Sequence, residues 1–227
     1  MLSRLAALLV PTVGRLTVTT DDDAALAPGS LIVANHTSLT DPAVVLAALH
    51  RLDARPVVMA AAGLWRTPLL GRALTRDGYI PVHRGDRRAA RALDLAAAAL
   101  GEGRLLLVYA EGGIPARADA GEAAPRAFRS GVARLTERTG APVVPVGQAG
   151  ARRISSGSVA KQVAGVLTAP LRRPALHVHV GAPLTLTGGR IAATRRAHGA
   201  VTDAWRTAAA HLGALAGPAA GSARQAG

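Results

Sequence analysis

The residues of this chain best suited to move a proton are His36 and Asp41, five positions apart in Leu31-Ile32-Val33-Ala34-Asn35-His36-Thr37-Ser38-Leu39-Thr40-Asp41-Pro42. A neutral imidazole whose Nδ1–H is held by a carboxylate keeps Nε2 free as a base, and the carboxylate stabilises the imidazolium that forms on proton uptake. That pair suits the removal of a proton from an alcohol. Asp41 before Pro42 also reads as an ordinary helix start, an N-cap acceptor followed by proline at the first helical position. Ser38 stands beside the histidine as a rival nucleophile, but two residues apart at a turn the two side chains are poorly placed for an in-line hydrogen bond. The chain has no cysteine, which excludes disulfides, thiolate metal sites and a thiol nucleophile. The nucleophile is then the substrate itself, a hydroxyl or another side chain.

The elements that must position this pair are strands alternating with helices. The apolar run that ends at Asn35 reads as a buried strand and residues 42–52 as the helix after it. Residues 15–20 alternate like an edge strand, and residues 55–60, 79–82, 104–109, 143–146 and 176–180 read as further strands. Helical spacing marks 87–100, 128–135 (with Gly140 as its stop) and 191–215. Residues 64–71 form an apolar segment that reads as a helix packed on the sheet through Trp65 and Leu69, or as the lining of a site. Residues 114–126 are polar and irregular, a lid or acceptor loop. The implied fold is α/β, a single domain with a mostly parallel, partly mixed central sheet flanked by helices and the active site at strand-to-helix junctions. The domain is expected over 1–216, with a motif-bearing core at 14–184, a packing helix at 190–216 and a disordered tail at 217–227.

Three more blocks follow the histidine in order: Gly78-Tyr79-Ile80-Pro81-Val82-His83-Arg84, Tyr109-Ala110-Glu111-Gly112-Gly113 and Ala141-Pro142-Val143-Val144-Pro145-Val146-Gly147. Together with the Asn-His-four residues-Asp block, they resemble the motifs of the glycerolipid acyltransferases, which include 1-acylglycerol-3-phosphate acyltransferase. The resemblance implies catalysis by His36 and Asp41, and substrate binding by Asn35, Ser38, Arg84, Glu111, Gly112, Gly113 and Pro145. It implies transfer of a fatty acyl group from acyl-CoA or acyl-carrier protein, as co-substrate, to a hydroxyl of a lysophosphatidic-acid-like acceptor. No cofactor and no metal are implied.

The third block departs from the family's usual Phe-Pro-Glu-Gly-Thr-Arg. Ala110 replaces the proline, Gly113 the threonine and Ile114 the arginine, so half of the phosphate clamp that the resemblance implies is missing. Arg117, Arg126 or Arg129 are the candidates to replace it. Otherwise the acceptor lacks a phosphate, being a sugar, an amino group or a specialised metabolite. A scaffold that holds an acylated ligand or membrane without turnover is the remaining alternative.

Charge and composition bear on partners. A net charge of +13 attracts lipid headgroups, acidic carrier proteins or nucleic acid. Aromatics are only 2% of the chain, which leaves few stacking platforms, and no nucleic-acid-binding signature is present, so no nucleic acid is expected. Residues 151–173 carry Arg152, Arg153, Lys161, Arg172 and Arg173 without an acidic residue, as a membrane-facing patch or a solvated face. No apolar run approaches the roughly 20 residues of a membrane-spanning helix, and no signal peptide is expected. The expected location is cytoplasmic and peripheral on the inner face of the membrane, with residues 1–13 as an interfacial or a packing helix. His177 and His179 share one face of a strand; a satisfied pair is favoured over a metal site, because no further ligand motif joins them.

Overall fold

The computed structural model describes residues 1–83, 89–114, 119 and 121–213. Arg84, Arg117 and the tail from 217 lie outside the described residues. Strands β1 (Arg15–Thr20), β2 (Leu31–Ala34), β3 (Val57–Ala61), β4 (Ile80–Val82), β5 (Leu106–Tyr109), β6 (Val143–Ala149) and β7 (Ala175–Val180) form one sheet. Its seven strands run in the order β1-β7-β6-β2-β5-β3-β4. β2 is central, parallel to β5 on one side and β6 on the other. β6 and β7 pair antiparallel, and this one reversal makes the otherwise parallel sheet mixed.

Helices cover both faces, which is why the central strands read as unbroken apolar runs. Alternate side chains of β2 enter two different cores. Ile32 and Ala34 join α1 (Leu2–Val13), α2 (Asp41–Arg51), α3 (Pro68–Arg76) and α6 (Val159–Arg172). Leu31 and Val33 face α4 (Ala89–Gly101), α5 (Gly131–Thr139) and α7 (Gly189–His211). Leu31, Ile32 and Val33 are each 0% exposed, and burial of each contributes about 1.5–3 kcal/mol. The strand that leads into His36 is therefore held rigidly from both sides. α7 lies directly on β6 at Gly147, where a Cβ would run into the backbone of Ala204 and Trp205.

The structure adds one helix to the expected elements. Residues 151–173 hold a short 3₁₀ turn, Ala151–Arg153, and then α6. Residues 64–71 split between a 3₁₀ turn, Ala62–Arg66, and the start of α3. Trp65 packs against the core, but Leu69 is 80% exposed, so it is not the anchor expected of it.

Candidate active site

β2, β5 and β6 are parallel, so their carboxyl ends open on one edge of the sheet, and the first, third and fourth sequence blocks meet there. Asn35 continues β2 by side-chain bonding. Its Nδ2 donates to Gln148 O at 3.0 Å and its Oδ1 accepts from Gln148 N at 2.8 Å. Those two bonds tie the start of the loop that carries His36 to the end of β6.

His36 Nδ1 lies 3.0 Å from Asp41 Oδ2. Thr37 N and Ser38 N donate to the same oxygen. Asp41 is the first residue of α2, after the N-cap Thr40. Its carboxylate turns back onto the loop that carries the histidine, so it is not the helix cap that an Asp-Pro pair suggests. With Oδ2 already accepting two backbone N–H groups, the bond to His36 requires the imidazole to donate from Nδ1, which leaves Nε2 with its lone pair. Asp41 is fully buried, and burial foremost raises its pKa above the usual 3.8 against the lowering effect of the bonds from His36, Ser38 and Thr37. The His36 side chain keeps 13% exposure, and its ring lies 4.5 Å from the Tyr109 ring at the end of β5.

Glu111 follows β5. Its Oε1 accepts from His36 N at 2.7 Å and its Oε2 from Arg126 N at 3.1 Å. Gly112 turns the chain at φ +73°, a left-handed conformation that side chains disfavour. A Cβ there would also strike the Arg129 side chain. Arg126 Nη2 donates to Gly113 O at 2.6 Å, and its Nε lies 3.5 Å from Glu111 Oε2. Two of the three arginines considered for the missing clamp thus border the third block. Ile114, in the family's arginine position, is half-buried.

Asn35 and Ser38, expected at the substrate, instead hold the loop. Asn35 is 0% exposed and Ser38 2%, and the Ser38 hydroxyl donates to Ser155 O at 2.7 Å. Turned inward, it is no nucleophile. Pro145 is buried in mid-strand opposite Val33, and its carbonyl accepts from Gly181, so its ring does not join the cluster around His36.

Arg152 was not singled out by the sequence as part of the site. It is 2% exposed, so it does not belong to the basic surface in which its neighbours place it. Nη1 donates to Thr37 O at 3.0 Å, Nε to Gly121 O at 3.0 Å and Nη2 to Asp119 O. One guanidinium therefore joins the loop that carries His36 to the segment before Arg126. Glu122 adds a second tie by accepting from Gly150 N at 2.8 Å, and burial raises its pKa. Pro125 O accepts from His198 Nε2 at 3.0 Å. The described part of the irregular segment is fastened to the body of the protein, which does not suit a free lid.

The two strand histidines are buried and share Thr19: its Oγ1 is 2.9 Å from both His177 Nε2 and His179 Nδ1. His179 Nε2 lies 3.1 Å from Asp21 Oδ1. No group of three or more metal-ligating side chains is assembled among the described residues.

The acyltransferase family pattern matches residues 15–148, more than half of the chain, and the protein belongs to that family. No curated protein sequence matches it. Among solved structures it is similar to the 1-acyl-sn-glycerophosphate (LPA) acyltransferase PlsC from Thermotoga maritima. The TM-score is 0.70 at 17% identity, over 91% of this chain and 77% of that one. At that identity the likeness establishes a common α/β fold.

Proposed function

We propose that this acyltransferase moves a fatty acyl group from an acyl thioester to a hydroxyl of a lysophosphatidic-acid-like acceptor, with His36 as general base and Asp41 as its positioning carboxylate. The observation that carries this reading is the His36–Asp41 bond of 3.0 Å at the carboxyl end of the central strand, with the imidazole partly exposed and the carboxylate buried. His36 Nε2 takes the proton of the acceptor hydroxyl as that oxygen attacks the thioester carbonyl. The C–O bond forms, the tetrahedral intermediate collapses, and the C–S bond breaks. The imidazolium returns its proton to the departing thiolate, so an ester and a free thiol result without an acyl-enzyme. No cofactor takes part; acyl-CoA or an acidic acyl-carrier protein serves as co-substrate.

Support for a phosphate on the acceptor comes from Arg126 and Arg129 beside Gly112 and Gly113. Half-buried Ile114 supports the second reading, an acceptor without a phosphate. No described helix is long and apolar enough to cross a membrane; a place at the inner face of the cell membrane, as a peripheral protein, is supported by the net charge of +13, which attracts anionic headgroups. The test is product analysis by mass spectrometry after acyl-CoA and acyl-carrier donors are offered with a panel of acceptors. An acylated lysophospholipid is expected from the wild type, and a rate lower by about 10²–10⁴ from His36→Ala. Unchanged turnover by His36→Ala would overturn the mechanism.

A further inference from the structure

α6 is exposed over nearly its whole surface, with Ala169 its only buried residue. Yet its solvent side is apolar. Val159, Val163, Leu167 and Leu171 recur every four residues and are 77%, 54%, 72% and 89% exposed. Spacing of four places them along one ridge of the helix. Scattered exposed leucines are ordinary on a soluble protein, whereas a continuous ridge is not.

Its neighbour repeats the pattern. α1 buries Ser3, Ala6 and Val10, while Leu5, Leu8 and Leu9 on its outer side are 45%, 72% and 54% exposed. The two helices touch, and Arg173 Nη2 donates to Pro11 O at 3.1 Å where their carboxyl ends meet. Lys161, Arg172 and Arg173 are exposed, and residues 151–173 contain no carboxylate. The arginines at this end contact carbonyl oxygens: Arg172 donates to Arg153 O at 3.0 Å and to Gly165 O at 2.8 Å. Their charge stays uncompensated by ion pairing with any described acidic residue.

We infer that the outer ridges of α6 and α1 form a docking surface for an anionic lipid bilayer. Apolar side chains entering the acyl boundary beside unpaired arginine and lysine match that surface in both polarity and charge. The link to the site is direct. Ser38 Oγ donates to Ser155 O at 2.7 Å and Thr40 Oγ1 to Ala151 O at 3.2 Å, both just before α6. Between them Leu39, inside the catalytic loop, is 66% exposed. A bilayer seated on α6 therefore lies next to the loop that carries His36. The inference takes from the proposed function only that the acceptor is lipid-like, and it gives that acceptor a route from the bilayer to the base.

The experiment is co-sedimentation of the full chain with phosphatidylcholine vesicles, with and without phosphatidylglycerol, for the wild type, Leu167→Asp/Leu171→Asp, Leu8→Asp/Leu9→Asp and Ile191→Asp. Ile191 is equally apolar and 72% exposed, but lies on α7, across the sheet. The wild type and Ile191→Asp should bind the anionic vesicles, more weakly as salt rises, and each double variant should lose about tenfold or more in apparent affinity. Circular dichroism melting should stay at the wild-type temperature, because the α6 positions are exposed. Unchanged binding by the α6 variant, or an equal loss in Ile191→Asp, overturns the inference. So does a wild-type dimer that the α6 variant dissociates without vesicle binding by either, since the ridge would then face a second copy. Vesicle binding does not depend on turnover: a chain that binds through α6 but acylates nothing defeats the proposed function alone, and one that acylates while α6 is dispensable for binding defeats this inference alone.

Discussion

Glu111 Oε1 accepts the backbone N–H of His36 at 2.7 Å, so the carboxylate of the third sequence block is bonded to the histidine of the first. Its other oxygen accepts from Arg126 N at 3.1 Å. An ionised carboxylate offers acceptors on both oxygens, as two converging N–H donors require. Glu111, assigned to substrate binding from its motif, is placed to fix where the imidazole stands.

Glu111→Gln tests that placement. One amide oxygen still serves one donor, but the amide nitrogen then faces a second N–H, and that partly buried donor loses its partner at about 1 kcal/mol or more. A fall in kcat of about tenfold or more is expected, with acceptor KM little changed, read from steady-state kinetics. An unchanged kcat with a large rise in KM would instead put Glu111 on the substrate.

The readable parts of the fold are those where periodicity reports burial. The apolar run of β2 follows from cover on both faces and the alternation of β1 from its place at the sheet edge, and the strands form where the pattern places them; β7 alternates in sequence yet is buried on both faces, His177 and His179 included. α6 was not legible, because a helix that buries only Ala169, with Gly165 and Pro170 inside it, carries no core-facing stripe. The His36–Asp41 contact was legible, since a spacing of five at a strand-to-helix junction brings the two side chains together. Arg152 was not, because a buried arginine bonded to carbonyls has no local signature to separate it from Arg153 and Arg172. Gln148 did leave a signal: a lone amide near the end of the apolar run Val143–Ala149 needs a partner, and its Nε2 donates to Thr37 Oγ1 at 3.2 Å in the loop that carries His36.

His177 links the sheet to pH. It is 2% exposed, with its ring stacked on His211 at 4.3 Å. Burial first, then the neighbouring His211 and His179, lowers its pKa from 6.5 to about 4. A histidine depressed in the folded state favours the neutral form there. Its contribution to stability is full above the unfolded value of 6.5 and is lost as pH falls toward about 4. Urea unfolding should show about 2 kcal/mol less stability at about pH 5 than at about pH 7.5 from this group. His177→Gln should flatten that part of the profile. A variant with the wild-type slope would show that other groups set it.

The acceptor is decided around Ile114. If it carries a phosphate, Arg126 or Arg129 supplies the charge that the family places at the Ile114 position, and each already borders Gly112 or Gly113. Loss of a charge-assisted phosphate bond costs about 1.5–3 kcal/mol, so Arg126→Ala or Arg129→Ala should raise the KM for lysophosphatidic acid by roughly tenfold or more. Neither variant should affect the dephosphorylated acceptor in that way. Ile114→Arg should leave the phosphate acceptor served at least as well, while harming an uncharged one, for which a half-buried guanidinium has no partner. Steady-state kinetics of the wild type and the three variants on both acceptors separates the cases. Equal or better acylation of the dephosphorylated acceptor by the wild type, with neither arginine mattering, would exclude a glycerol-phosphate acceptor and leave Ile114 as an apolar wall of the site.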